Sequence, residues 1–230
     1  MVGFELQRKN MVESQVRPSD ITDRRVIAAM LDMPRDAFAA EDTRAVAYMD
    51  QDLPVGPAGS AQDGSAGGQR RRALMSPRIL AMCVQHLELE AGDRVLEVGT
   101  ATGYGAAVLA RIAKSVVALE SDAGLAVEAG ANLAAQNRGN VTVATGPLAA
   151  GWPAEAPYAA ILVAGSIPAV PSVLLDQLQD GGRLVAVLAD NGIGRLAQWQ
   201  RIGSSFSVRV LGEAGARALP GFDRQSGFVF

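Results

Sequence analysis

Val95-Leu96-Glu97-Val98-Gly99-Thr100-Ala101-Thr102-Gly103-Tyr104-Gly105 runs from a short apolar strand into a glycine-containing turn, and Ala106 to Ala113 continues as a helix of small and apolar residues. In an open α/β sheet the first turn of this kind lies at the carboxyl end of a central strand, where ligands bind. The glycine spacing separates two classes of ligand. A dinucleotide fingerprint reads G-x-G-x-x-G and sets a pyrophosphate against a helix N-terminus. Here the glycines are Gly99, Gly103 and Gly105, and Glu97 stands two residues before the first. A carboxylate in that place repels a diphosphate and suits a cation. Glu120 closes the next apolar run, about twenty residues on, where an acid can accept hydrogen bonds from both hydroxyls of a ribose. An adenosine with an amino-acid tail and no phosphate satisfies both acids, and S-adenosyl-L-methionine is that ligand.

Outward from this turn the hydrophobic period stays that of strands. Arg94 to Val98, Ser115 to Glu120, Val141 to Thr145, Tyr158 to Ala164 and Arg183 to Leu188 are short runs rich in Val, Leu and Ile, mostly separated by helix-length stretches. Continuous apolar strands alternating with helices predict an α/β fold with a mostly parallel sheet covered on both faces. Gly92-Asp93 and Asp180-Gly181-Gly182 read as turns before the first and fifth runs, while Arg195 to Ile202 and Ser205 to Leu211, meeting at Gly203-Ser204, read as an antiparallel pair. Before the sheet, Gln7 to Ala40 reads as short helices, with Ser19-Asp20 as a cap and Pro34 as a stop. Pro77 opens a further helix that carries Cys83 and His86, both read as packing residues. Residues Pro57 to Gln69, almost all small or polar, predict a flexible surface loop or lid. The Arg70-Arg71-Arg72 triplet after it reads first as a solvated basic loop edge and second as a site for an acidic group.

Composition narrows the class. With 49% hydrophobic and 20% charged residues among 230, the chain can build a sizeable core. Its net charge of −3 supplies no positive field for a nucleic acid. One cysteine and one histidine leave no internal disulfide, no multi-cysteine metal site and no complete His-dependent triad. Charges at Glu5, Arg8 and Lys9 argue against a secretory signal, and the apolar stretch Tyr158 to Leu175 is broken by Gly165, Pro168 and Pro171, against a membrane span. A cytoplasmic protein with no metal and no membrane partner is the expectation.

Several stretches together resemble one family. Met11-Val-Glu-Ser-Gln-Val16, Thr22 to Val26, Pro34-Arg35, Phe38, Ala47-Tyr-Met-Asp50, Leu53 to Gly56, Val95 to Ala110, Gly151-Trp-Pro153, Ala156-Pro-Tyr158 and Gly181 to Val185 match the protein-L-isoaspartate O-methyltransferases in order and spacing. The resemblance implies a Rossmann-like class I methyltransferase fold in two parts, an N-terminal helical extension with a substrate-side loop (1–76) and a cofactor-binding core (77–230). It implies methyl transfer from S-adenosyl-L-methionine to an isoaspartyl carboxylate on a protein or peptide, in protein repair. It assigns Glu97, Gly99, Thr100, Ala101, Thr102, Gly103 and Tyr104 to the methionine part, and Glu120 and Ser121 to the ribose. Gly146, Pro147 and Leu148 fall to the adenine. Leu53, Pro54, Val55, Gly56, Leu74 and Met75 fall to the substrate, and Ser76 to catalysis.

The departures also carry information. The family's serine in its Thr-Ile-Ser-Gln-Pro stretch falls at Met75, with a serine one place later at Ser76; a motif glycine is Ala101; a Gly-Asp-Gly stretch is Gly146-Pro147-Leu148; and an aspartate is Ala159. These changes leave open a methyltransferase with another acceptor and a non-catalytic binding or scaffold protein that keeps the fold.

Overall fold

The computed structural model describes residues 3–56, 72–189 and 194–222. The predicted loop Pro57 to Gln69, with Arg70 and Arg71, lies outside the described residues. In chain order the elements are α1 (Phe4–Met11), α2 (Arg24–Asp32), β1 (Leu53–Pro54), β2 (Ala73–Leu74), α3 (Pro77–His86), β3 (Arg94–Val98), α4 (Tyr104–Leu109), β4 (Ser115–Glu120), α5 (Ala123–Ala135), β5 (Val141–Thr145), β6 (Tyr158–Ile167), α6 (Ser172–Leu175), β7 (Leu178–Ala189), β8 (Gly194–Ile202) and β9 (Ser205–Glu213). Short 3-10 and π-type turns join them, including a π turn at Val12–Val16 directly after α1.

A seven-stranded sheet has the order β5-β4-β3-β6-β7-β8-β9. Pairings from β5 through β7 are parallel, and β8 and β9 are added antiparallel, so the fold is α/β and Rossmann-like. The chain leaves β3 towards β4 and β5, then returns to the other side of β3 as β6. The carboxyl ends of β3 and β6 therefore flank a topological switch point, the place where such sheets bind ligands.

Both faces of the central strands are buried. Val95, Val116, Ala118, Leu162 and Val185 pack with α3, α4, α5 and the N-terminal elements in one cluster, while Leu96, Val98, Val117, Leu119, Ile161 and Val163 pack on the opposite face with Leu174 of α6, Leu148 and Leu219. Met11, Val16, Met30 and Phe38 belong to the first cluster, so the N-terminal extension shares one core with the sheet.

Three details differ from the sequence reading. Helix α2 is capped by Asp23, whose carboxylate accepts from the Arg25 amide at 2.8 Å, and not by Ser19-Asp20. Helix α4 starts at Tyr104 and ends at Leu109, earlier than the Ala106 to Ala113 expected, because Gly103 takes a left-handed conformation that starts it. Asp180-Gly181-Gly182 lies inside β7: Tyr158 pairs with Leu178 but Ala160 pairs with Arg183, so the glycines fill an irregularity in the strand. A second register shift, between Leu162 and Ser166, bends β6 at its carboxyl end beside the switch point. Among the described residues no helix is long and apolar enough to cross a membrane.

Candidate functional site

The turn after β3 is held from three sides. Gly99, Ala101 and Gly103 take φ of 89°, 54° and 98°, the left-handed region, and the Gly99 and Thr100 amides both donate to the Leu119 carbonyl of β4, at 2.8 and 3.1 Å. Thr102 donates its hydroxyl to the Phe38 carbonyl at 2.6 Å. The Tyr104 ring meets Phe38 edge-on, 5.7 Å between centroids, with the Arg35 guanidinium 4.9 Å from its own centroid. The side chains of Thr102 and Tyr104, expected to cradle the cofactor, are thus engaged by the N-terminal extension and fix the turn in place.

Glu97 is buried beneath the turn. It accepts the Thr100 hydroxyl at 2.5 Å, and burial pushes its carboxyl up to about 7, opposed by the Thr100 bond and the Ala106 amide. A Cβ on Gly105 would stand 1.9 Å from its Oε1, so only glycine leaves room for the carboxylate at the start of α4. Glu97, Gly99, Thr100, Tyr104, Leu74 and Met75 share the lining of a cavity of about 10 Å³.

Glu120, fully buried at the end of β4, is the most connected acid in the cleft. Its Oε2 accepts the Ala101 amide at 2.8 Å, and its Oε1 accepts the Ser121 amide at 2.8 Å, the Ser121 hydroxyl at 3.2 Å and the Asp122 amide at 3.2 Å. Arg72 reaches the same carboxylate, Nη2 to Oε2 at 2.8 Å and Nε to Oε1 at 3.3 Å. The reading of Arg72 as a solvated basic edge is therefore wrong; its side chain is 10% exposed and ion-paired. Gly146 donates its amide to the Glu120 carbonyl at 3.0 Å, which sets the Gly146-Pro147-Leu148 segment beside the acid, with Leu148 buried and Pro147 exposed.

The facing wall is built by β1 and β2. Leu53 pairs with Leu74 and Pro54 with Ala73, and the Val55 amide donates to the Arg72 carbonyl at 2.9 Å, which brings Leu53 to Val55 against Leu74 and Met75; Gly56 follows with a left-handed φ of 87°. Met75 is buried, and its carbonyl accepts from Arg35, which also donates to the Ala47 carbonyl, both at 2.8 Å. Burial pushes the Arg35 guanidinium below its ordinary value. Ser76, the serine expected to act in catalysis, is buried ahead of α3 and its amide donates to Asp52 at 2.9 Å. No hydrogen bond ties its hydroxyl among the described residues.

The C-terminal segment completes the cleft. Ala218 bridges Ser166 in parallel, and Leu219 lies so close that a Cβ on Gly99 would stand 2.9 Å from its Cδ2. Asp52, Arg35 and Leu219 escaped the sequence reading as site residues, and Arg72 entered it only in the second reading of the arginine triplet. For Arg72 the signal was the arginine triplet, and for Arg35 the Pro34-Arg35 pair; Asp52 and Leu219 carry none.

What the arrangement can do follows from its chemistry. A buried carboxylate held by backbone amides at a strand end recognises paired hydroxyls, and a second acid beneath a glycine turn favours a cationic group. The donor set fits an adenosine with an amino-acid tail.

A model of the family described as protein-L-isoaspartate(D-aspartate) O-methyltransferase matches residues 6–214. A protein-L-isoaspartate O-methyltransferase 1 of Rhodopseudomonas palustris (strain HaA2) is 42% identical over 219 residues, 95% of this chain and 84% of that one. Another, from Syntrophobacter fumaroxidans, is 39% identical over 198 residues, 86% and 85% of the two chains. Among solved structures, one from Plasmodium falciparum, in complex with S-adenosyl-L-homocysteine, superimposes with a TM-score of 0.75 at 19% identity, covering 93% of this chain and 98% of the other.

Proposed function

Because the chain belongs to the protein-L-isoaspartate(D-aspartate) O-methyltransferase family, we infer that it moves a methyl group from S-adenosyl-L-methionine to the carboxylate of an isoaspartyl residue in a protein or peptide, a repair reaction. The observation that carries the reading is the family match across 6–214 together with the buried Glu120 beside the Gly99–Gly103 turn.

In the bound cofactor a sulfonium supplies an electrophilic methyl group. The acceptor carboxylate is already ionised at neutral pH, so the chain needs no general base, and its contribution is proximity, alignment and exclusion of water. We assign Glu120, steadied by the Ala101 and Ser121 amides, to the ribose hydroxyls, and Gly146 to Leu148 to the adenine flank. Gly99 to Gly103 give the methionine part a backbone surface free of side chains at the glycines, and Glu97 lies beneath it, where a nearby cation would favour the ionised form of its buried carboxyl. Thr102 and Tyr104 act through position, by locking the turn against Phe38 and Arg35. On the acceptor side, Leu53 to Gly56 and Leu74 to Ser76 form the wall against which the peptide lies, with the Ser76 hydroxyl available to the carboxylate. This division gives 1–76 the acceptor and 77–230 the cofactor. A cytoplasmic location fits the single, buried thiol of Cys83.

The test is transfer of labelled methyl from S-adenosyl-L-methionine to an isoaspartyl peptide, with the matching aspartyl peptide as control. Selective labelling of the isoaspartyl peptide is expected, together with a Ser76→Ala variant that loses activity on the peptide more than cofactor affinity. Labelling of neither peptide, or of both equally, would overturn the assignment of acceptor.

A further inference from the structure

The arginine after the substrate-side loop occupies the acid that the cofactor needs. On Glu120, Oε2 accepts the Ala101 amide and Arg72 Nη2, and Oε1 accepts the Ser121 amide and hydroxyl, the Asp122 amide and Arg72 Nε. The guanidinium fork spans both oxygens, and a pair of ribose hydroxyls needs the same two oxygens. The same guanidinium covers the turn, since a Cβ on Gly99 would stand 3.0 Å from Arg72 Nη2. Arg72 and Leu219 line one small cavity at the switch point together with Asp52 and Met75, and Glu97 and Gly99 line a second of about 10 Å³.

We propose that Arg72 is an internal competitor for the cofactor: its guanidinium must leave Glu120 before S-adenosyl-L-methionine binds, so that cofactor binding frees a cation on the acceptor wall. The proposal rests on the assignment of Glu120 to the ribose. The exchange is balanced chemically, because two guanidinium N–H donors are replaced by two hydroxyl donors. Glu120 keeps its backbone and Ser121 bonds throughout and is never left bare in the interior. The Arg72 backbone is anchored by the Val55 amide on its carbonyl and runs directly into β2, so the side chain moves while the wall that carries Met75 and Ser76 stays. A group that must vacate a site lowers the apparent affinity for the incoming ligand by the fraction of molecules in which the site is open.

Calorimetric titration with S-adenosyl-L-homocysteine distinguishes the outcomes. Arg72→Met and Arg72→Ala are expected to bind about tenfold tighter than wild type, with Arg72→Lys, a single point charge without the fork, between them. Binding that is equal or weaker in the Met and Ala variants would overturn the competitor and leave the cofactor site standing. Binding absent from wild type and every variant would overturn the Glu120 assignment and the proposal with it. A measurement on the unaltered protein is independent of variant folding. The Arg72 Nε–H resonance should move to the position of a solvated guanidinium on saturation with S-adenosyl-L-homocysteine, and a resonance unmoved at saturation would also overturn the proposal.

Discussion

Glu97 keeps a proton into the neutral range because it is surrounded by protein and has one hydroxyl and one amide to steady its charge. Burial raises its carboxyl from about 4.5 to about 7. The sign follows from linkage. Below about 4.5 the group is protonated folded and unfolded. Between the two values the unfolded chain releases the proton while the folded chain retains it, so stability falls as pH rises through that window and levels off above about 7. The difference corresponds to about 3 kcal/mol for this one group, as an order of magnitude. Denaturant unfolding followed from pH 4.5 to 8 should therefore show a decline that Glu97→Gln flattens, because the amide cannot ionise. A decline of the same size in the variant would assign it to other groups. Gly105 explains why the acid is tolerated: with no Cβ, the residue leaves space for Oε1 at the opening of α4.

At the level of elements, helix α2 depends on a cap that packing does not supply. Asp23 accepts the Arg25 amide at 2.8 Å and is held below the usual carboxylate range chiefly by the Arg25 side chain, whose Nη2 lies 2.7 Å from it. The ion pair is half exposed and adds little, so the cap dominates. Asp23→Ala should cost about 1 kcal/mol in urea unfolding and Asp23→Asn much less, since asparagine caps equally well. That this cap was read at Ser19-Asp20 shows where sequence is silent. The strands β3, β4 and β5 were legible to the residue: β3 and β4, buried on both faces, are continuous apolar runs with polar borders, and the edge strand β5 is a run of mostly β-branched residues. Caps depend on φ and ψ at single residues: Asp20, with a left-handed φ of 59°, ends the preceding turn, and α2 opens three residues later, at the extended Asp23. In the same way Glu97, Gly99 and Glu120 were legible because they sit at the ends of those readable strands. Arg72 was misread because its partner is 48 positions away and the pairing exists only once the sheet brings them together.

Across the whole molecule, the acceptor wall, the helix behind it and the C-terminal segment meet at one side chain. Asp52 accepts the Ser76 amide on Oδ1 at 2.9 Å and the Arg217 amide on Oδ2 at 2.6 Å, the latter across 165 positions of sequence. Arg217 in turn offers its carbonyl to the Ser166 amide at 2.9 Å, and Ser166 accepts the Leu219 amide at 2.9 Å, so the clasp carries through to the end of β6 and to the side chain that covers Gly99. No sequence period marks such a residue, because its partners are backbone amides that any residue would provide. Each charge-assisted bond contributes about 1.5–3 kcal/mol, and removing the carboxylate leaves two amides without their acceptor. Asp52→Ala should therefore lower stability by about 2–4 kcal/mol in denaturant unfolding and loosen the C-terminal segment, read as faster amide exchange at Arg217 and Leu219 than at Val117 in β4. Asp52→Asn, which keeps one acceptor oxygen, should recover part of the loss. Exchange that accelerates equally in β4 and in the C-terminal segment would place the effect of Asp52 on global unfolding and remove its role as the clasp of the cleft.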